Sequence, residues 1–311
     1  MNIQQFKYIL EVADNRHFDT AARKCFISQS TLSTMIGRFE EEVGISIFNR
    51  KTKPVSITPE GEKLIERLRI IQHEIDSMNN LIQEMKGEQV GELRLGVIPT
   101  ISPSLLPLIL PQLISQFPNV KFIVQEMTTS QIQQGLRLRN IDIGILALPL
   151  EDEELEEHTL YKEPFLLYDC TRENEDEKAS FNRLDYSKLC LLQEGHCLRT
   201  QVRKICELSD KFANSDANFE IESGSMGSLL RLTKSIQGVT IIPYLASFDL
   251  PDKSNCRLME FESPVPMREV GLVTHKFFVK KGLLKDFRKL ILHAVNPFLP
   301  KTEKGRLLEP V

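Results

Sequence analysis

HFDTAARKCFISQSTLSTMIGRFEEEVG, residues 17–44, decides how the chain is read. Asp19-Thr20-Ala21-Ala22-Arg23-Lys24 has the composition of a short helix, and the small Ala21 and Ala22 let a second helix approach closely. Ser28 or Gln29 opens another helix. Leu32, Ile36, Phe39 and Val43 form its inner stripe, and Gln29, Ser30, Ser33, Thr34 and Arg38 its outer face. Gly44 suits its end. Upstream, Phe6, Ile9, Leu10 and Ala13 fall at helical spacing. Downstream, Phe48-Asn49-Arg50 and Val55-Ser56-Ile57 flank the basic turn Lys51-Thr52-Lys53-Pro54. Residues 1–58 therefore predict three short helices and a small basic wing.

Such a unit can lay its third helix in a DNA major groove. Gln29, Ser30, Thr31, Ser33, Thr34 and Arg38 would then face base edges and phosphates. Arg50, Lys51 and Lys53 in the wing suit phosphate or minor-groove contacts, which hold register without reading sequence. The alternative for any one of these polar groups is a plain solvated surface. The whole chain has a net charge of −4, yet residues 2–58 hold eight Lys/Arg against six acids, so the positive excess lies in the N-terminal unit.

Working outward, Thr58-Pro59-Glu60 opens a long helix, with a hydroxyl cap, proline at the first position and an acid in the first turn. Leu64, Leu68, Ile71, Ile75, Met78, Ile82 and Met85 follow in alternating steps of four and three. That heptad seam asks for a partner helix and predicts a dimer; packing on its own domain is the alternative. From residue 92 strands and helices alternate: strand Glu92–Ile98, helix Leu105–Phe117, strand Val120–Glu126, helix Ser130–Arg139, strand Ile141–Leu148. This predicts α/β with a largely parallel sheet. Glu151 to Glu157 reads as a solvated acidic face. Phe165–Tyr168, Leu189–Leu192, Val239–Ile242 and Glu269–Val273 read as further strands, and Phe219–Ile221 as extended. Val202–Leu208, Ser228–Lys234 and Leu283–Val295 read as helices, Asn174–Lys178 as a polar loop, and the residues after Pro300 as a frayed tail.

With 41% hydrophobic and 26% charged residues, the composition is that of a soluble globular protein. No secretory signal opens the chain and no apolar run is long enough to span a bilayer, so a cytoplasmic location without membrane association is expected. In that compartment thiols stay reduced, and six cysteines in 311 residues do not make a disulfide scaffold. Cys25 falls on an inner helix face, Cys190 in a strand, and Cys170 and Cys256 at partly exposed positions; none is assigned a signalling role. Cys197 and Cys206 stand nine apart. The spacing alone leaves open two buried thiols, a redox pair, or a metal site with His196, although it matches no zinc finger.

The N-terminal residues Phe18, Thr20-Ala21-Ala22, Ser28-Gln29-Ser30-Thr31-Leu32-Ser33, Ile36, Phe39-Glu40, Glu42-Val43-Gly44, Phe48-Asn49-Arg50 and Thr58-Pro59-Glu60-Gly61 resemble the winged helix-turn-helix of LysR-type regulators. Ser30 and Thr31 stand where that family often has proline or alanine. The resemblance runs on to about residue 299. It implies a C-terminal effector domain of two α/β subdomains like a periplasmic binding protein, at 89–163 with 268–300 and at 164–267. A winged helix-turn-helix at 1–58, a linker helix at 59–88 and a tail at 301–311 complete the division.

Within that family the chain is similar to the hydrogen-peroxide sensors. Ile98-Pro99-Thr100, Glu126 to Thr129, Ile145-Leu146-Ala147-Leu148, Glu194-Gly195-His196-Cys197-Leu198-Arg199 with Gln201, Cys206, Gly238-Val239-Thr240 with Pro243, and Arg268 before Val270-Gly271-Leu272 carry the match. The resemblance implies that Cys197 is the peroxidatic cysteine and Cys206 the resolving one. It implies that Thr100, Thr129, His196 and Arg268 hold and polarise peroxide. Read singly, Thr100 and Thr129 could be helix caps and Arg268 a surface ion pair. A helix N-terminus and a nearby His or Arg would lower the Cys197 pKa. If both cysteines lie on one helix, nine residues separate them by roughly 13–14 Å, and a disulfide needs Cα atoms within about 4.4–6.8 Å. Disulfide formation would then require unwinding.

The resemblance further implies double-stranded DNA and RNA polymerase as partners, dimers that assemble into tetramers, and no metal or other cofactor. Two rivals remain: a regulator binding a small metabolite between the subdomains with passive cysteines, and a thiol peroxidase, for which a DNA-binding head and linker have no use.

Overall fold

The computed structural model describes residues 1–85, 91–171, 178–180, 184, 186–206, 222–250, 256–300 and 305–310. The chain divides into two units, 1–87 with 138–140, and 88–137 with 141–311.

In the first unit α1 (Ile3–Asn15), α2 (Phe18–Lys24) and α3 (Gln29–Val43) are set by local chemistry. Asn2 and Gln5 form a reciprocal capping box, the Ser28 hydroxyl accepts from the Thr31 N–H, and Gly44 closes α3 at φ 70°, where a side chain would be strained. Ile9, Val12, Ala21, Ala22, Leu32, Ile36, Phe39 and Phe48 fill the core between them. The wing pairs β1 (Phe48–Asn49) with β2 (Ser56–Ile57). The linker helix α4 runs over Pro59–Met85. Leu68 of its seam is buried and Leu64 half-buried against the core of α1, α2 and α3; Ile75 is half-buried, whereas Ile71, Met78, Ile82 and Met85 are exposed.

The second unit is built on an eight-stranded sheet in the order β10-β6-β11-β5-β3-β4, with β9 on β6 and β12 on β11. Its strands are β3 (Gly91–Val97), β4 (Val120–Glu126), β5 (Ile143–Leu148), β6 (Leu155–Asp169), β9 (Val239–Pro243), β10 (Arg257–Glu260), β11 (Val265–His275) and β12 (Gly305–Leu307). A separate parallel pair joins β7 (Leu191–Leu192) to β8 (Glu222–Ser223). The helices are α5 (Ser102–Gln116), α6 (Thr129–Arg137), α7 (Cys197–Cys206), α8 (Met226–Ser235) and α9 (Lys281–Val295). The long strands β6 and β11 run antiparallel, and β6 passes from one core into the next. Leu160, Tyr161, Val270 and Leu272 belong to the core under α5 and α9; Phe165, Leu166 and Leu167 belong to the core under α7 and α8.

Four expectations are corrected. The sheet is mixed rather than largely parallel: β6 pairs antiparallel with β9, β10 and β11, and β11 with β5, while β3 with β4 and β5, and β11 with β12, are parallel. The helix read at Val202–Leu208 is α7, which starts five residues earlier, at Cys197, with 207–208 outside the described residues, while the glutamates from 151 to 157 are exposed as read although β6 starts at Leu155. The tail is not frayed throughout, because β12 adds to β11 and Leu308 is buried in the second core. Cys170 is buried and joined by a disulfide to Cys256 across the β6–β10 pairing. The residues read as a loop at 174–177 and as extended at 219–221 lie outside the described residues.

Candidate functional site

The DNA-facing candidates sit where their helix and wing put them. Gln29, Ser30, Thr31, Thr34 and Arg38 are exposed along α3, and Lys51 and Lys53 are exposed on the wing. Ser33 is half-buried and Arg50 is engaged within the domain. One guanidinium nitrogen donates to the Ser33 hydroxyl at 2.9 Å, another to Glu40 at 2.8 Å, and the group lies 5.2 Å from the Phe18 ring centre. Glu40 also accepts from the backbone N–H groups of Ile47 and Phe48. Glu40 thus ties wing to recognition helix, a role the sequence pattern does not reveal.

Arg50→Ala is expected to weaken binding to specific and random DNA alike and to reduce the salt slope by about one. Gln29→Ala is expected to erode preference for the operator over random DNA. Titrations against both DNAs at two salt concentrations check the pair, and equal loss on both DNAs for Gln29→Ala contradicts the assignment.

In the second unit Thr100 follows β3 and Thr129 starts α6 after β4, so both stand at the carboxyl ends of adjacent parallel strands. That end of an open α/β sheet is where ligands collect. Neither is a helix cap: α5 is capped at Ile101 without a side-chain bond, and the Thr100 hydroxyl accepts from Arg268 at 3.0 Å. Arg268 is no surface residue. Buried on β11, it also donates to the Thr100 carbonyl and pairs at 2.8 Å with Glu163 of β6, itself fully buried. The second Glu163 oxygen accepts from the Leu245 N–H. An arginine held this way keeps its charge and a fixed direction.

Cys197 opens α7 after Gly195, whose φ of 90° lets the loop turn into the helix. Its thiol is buried in the core under α5 and α9, the first of the second unit, while Leu198, Val202, Ile205 and Cys206 are buried in the core under α7 and α8, the second. The helix therefore begins in one core and ends in the other. Cys197 and Cys206 are both thiols, at opposite ends of α7. Arg199 donates to the Leu192 carbonyl, and Gln201 to the Leu308 carbonyl at 3.0 Å. Lys204 donates to the Glu309 carbonyl. Three side-chain bonds and a run of apolar contacts thus hold the helix shut.

The electrostatics differ from the expectation. Burial pushes the Cys197 thiol above its ordinary value and outweighs Arg268, the Thr129 hydroxyl and the backbone N–H groups at the helix start, all of which favour the thiolate. The Thr129 hydroxyl is buried without a full hydrogen bond, so its weaker pull on this sulfur matters. Burial also lowers the His196 pKa, leaving the imidazole neutral near pH 7. Arg268 is then the cation of the site. His196 itself lines a separate surface depression with Arg199, Thr200 and Arg203. Tyr161, fully buried with no partner for its hydroxyl, has its pKa raised by burial and then by Glu163, against Arg268. Glu163 and Tyr161 were not legible as site residues, because they lie in a strand segment whose charged neighbours read as plain surface. Among the described residues no group of three or more His, Cys, Asp or Glu converges as metal ligands would, and α7 itself keeps Cys197 and Cys206 apart.

Residues 3–62 match the bacterial regulatory helix-turn-helix protein model of the lysR family, and residues 86–296 match the LysR substrate binding domain. The chain is similar to the DNA-binding transcriptional dual regulator OxyR of Escherichia coli, at 32% identity over 88% of this chain and 89% of that one. It is similar to the hydrogen peroxide-inducible genes activator of Haemophilus influenzae, at 30% identity over 88% and 90%. Among solved structures, a full-length OxyR variant from Pseudomonas aeruginosa superposes with a TM-score of 0.78 at 27% identity, covering 94% of this chain and 98% of that one. A hydrogen-peroxide-bound OxyR mutant from Corynebacterium glutamicum gives 0.63 at 25% identity, covering 95% and 93%. With its head and its effector domain both matched, and relatives of this identity spanning nearly nine-tenths of its length, the chain belongs to the LysR family of bacterial transcription regulators.

Proposed function

We propose that this LysR-family protein is a cytoplasmic, peroxide-responsive activator of transcription, switched by a disulfide between Cys197 and Cys206. The observation that carries the reading is α7: one helix holding two buried thiols at opposite ends, its first thiol beside a buried arginine. The Cys197 thiolate attacks one peroxide oxygen, and the O–O bond breaks to give a sulfenic acid and hydroxide. Arg268 and the Thr100 and Thr129 hydroxyls stabilise the charge that moves from sulfur to the leaving oxygen. The Cys206 thiol then attacks the sulfenic sulfur, forming the S–S bond and releasing water. Two thiols are oxidised by two electrons and one peroxide is reduced to two waters. An external dithiol resets the switch.

The second step requires α7 to come apart. Its unwinding withdraws Leu198, Val202 and Ile205 from the second core and Cys197 from the first, which is how a covalent event changes the effector domain. The exposed seam residues Ile71, Met78, Ile82 and Met85 of α4 support a dimer in which that change respaces the DNA-binding heads. Tetramer assembly and contact with RNA polymerase extend the same reading. The molecule acts once per reset, as a regulator and not as a turnover peroxidase.

Non-reducing peptide mapping tests the proposal. The resting protein is expected to label four cysteines, Cys25, Cys190, Cys197 and Cys206, with Cys170 joined to Cys256. A small excess of peroxide is expected to leave only Cys25 and Cys190 labelled, with a new Cys197–Cys206 peptide. Both thiols still labelled after peroxide contradicts the mechanism. Deleting residues 301–311 removes the Leu308 and Glu309 carbonyls that hold α7. Faster amide hydrogen exchange across residues 197–206 is the expected result, and unchanged exchange there contradicts a holding role for the tail.

A further inference from the structure

A second pocket, of about 180 Å³, opens on the face of the second unit where β6 and β11 meet α9. Glu156, His158, Thr274, Phe278 and Leu284 line it, together with Lys281, Lys285 and Arg288 from α9. Its residues stand five and six positions along β6 and β11 from Glu163 and Arg268, roughly 16–20 Å at strand spacing, so it is separate from the cysteine site.

Two features set it apart from an ordinary surface dent. Thr274 is fully buried, and its hydroxyl has no hydrogen-bond partner. An unmet buried hydroxyl is costly and calls for a partner. His158 has a buried Nε2 that lacks a full hydrogen bond and only approaches Glu156, at 3.8 Å. Around these groups the charge is unbalanced. Arg288 is spent on the Thr159 carbonyl, whereas Lys281 and Lys285 make no ion pair among the described residues. Against them stands one carboxylate, Glu156. The remaining wall, Phe278 and Leu284, is apolar.

We infer that this pocket binds a small organic carboxylate. Its carboxylate would sit between Lys281 and Lys285 and give the Thr274 hydroxyl the acceptor it lacks; its apolar body would lie on Phe278 and Leu284. The volume is below the roughly 300–1,000 Å³ of drug-sized sites, which limits the guest to a compact acid. The charge-assisted bonds fix its headgroup and the apolar wall favours an organic anion over a bare inorganic one. The inference stands on geometry alone and does not depend on the cysteines.

Isothermal titration of the full-length, reduced protein with phenylacetate tests it. Saturable binding of one equivalent, with a dissociation constant on the order of 1 mM or tighter, is expected. Lys285→Ala, an exposed substitution, is expected to weaken it about tenfold. Thr274→Val removes the unmet hydroxyl at nearly constant shape, so its melting temperature should hold or rise while binding falls about tenfold. Absence of saturable binding up to about 10 mM, or binding that ignores both substitutions, overturns the inference. Phenylacetamide binding as tightly removes the role of charge, and inorganic phosphate competing on equal terms removes the organic-acid class; either result overturns it too.

Discussion

Cys197→Ser is expected to abolish the peroxide response while leaving operator binding intact. The hydroxyl that replaces the thiol cannot be oxidised to a sulfenic acid, so no later step has a starting point. Cys197 belongs to the second unit and the DNA-binding helices to the first, and the substitution keeps the side-chain volume nearly constant. Cys206→Ser is expected to behave differently. The sulfenic acid still forms, and without a resolving thiol it persists or advances to the sulfinic acid. Trapping with a sulfenic-acid reagent separates the two variants: label on Cys206→Ser and none on Cys197→Ser. A peroxide-dependent change in operator binding by Cys197→Ser would end the sensor reading. The pH dependence has a definite sign. Burial raises the Cys197 pKa, so the resting protein holds mostly thiol and the reactive thiolate grows with pH. The initial oxidation rate should therefore rise, by up to about tenfold per pH unit, until the pH reaches that pKa. A rate flat between pH 6 and about 8 would mean that Arg268 and Thr129 outweigh burial after all.

The second large effect is expected at Arg268. Arg268→Ala removes the cation from a pair buried on both sides and leaves the Glu163 carboxylate enclosed and uncompensated. Breaking such a pair costs ~3–5 kcal/mol, because the remaining charge keeps its desolvation penalty. Thermal unfolding should shift accordingly. The variant should also react slowly with peroxide, having lost the charge that favours the thiolate. Stability and chemistry are separated by the double variant Arg268→Ala with Glu163→Gln. Neutralising the stranded carboxylate should recover much of the stability and none of the oxidation rate. Should the double variant regain both, Arg268 is structural only. Arg268→Lys is not expected to rescue, since an ammonium cannot reach Glu163, the Thr100 hydroxyl and the Thr100 carbonyl together as the guanidinium does.

The DNA-binding head and the linker helix were legible in the residues, because each rests on signals that act over one or two turns; one helix holding both Cys197 and Cys206 was a condition that α7 meets. Ser28 caps α3, Gly44 ends it, and Thr58-Pro59-Glu60 opens α4. A spacing of nine on one helix keeps the two sulfurs apart whatever surrounds them. Other candidate residues stand in a setting that the sequence did not show. Arg268 and Thr100 come together across 168 positions of sequence, and only the folded sheet shows that this arginine is buried and held by Glu163, 105 positions away.

Local sequence alone determined the helix-turn-helix and the apolar seam of the linker, since cap bonds, turn geometry and apolar periodicity are decided by neighbours along the chain. Tertiary structure decided the rest. It joined Cys170 to Cys256, 86 residues apart, returned the C-terminal strand to β11, and set Leu308 against Gln201. It also reversed the expected direction of the Cys197 pKa shift, because the depth of a thiol below the surface is set by every element folded over it, and burial there outweighs the charges that sequence could suggest.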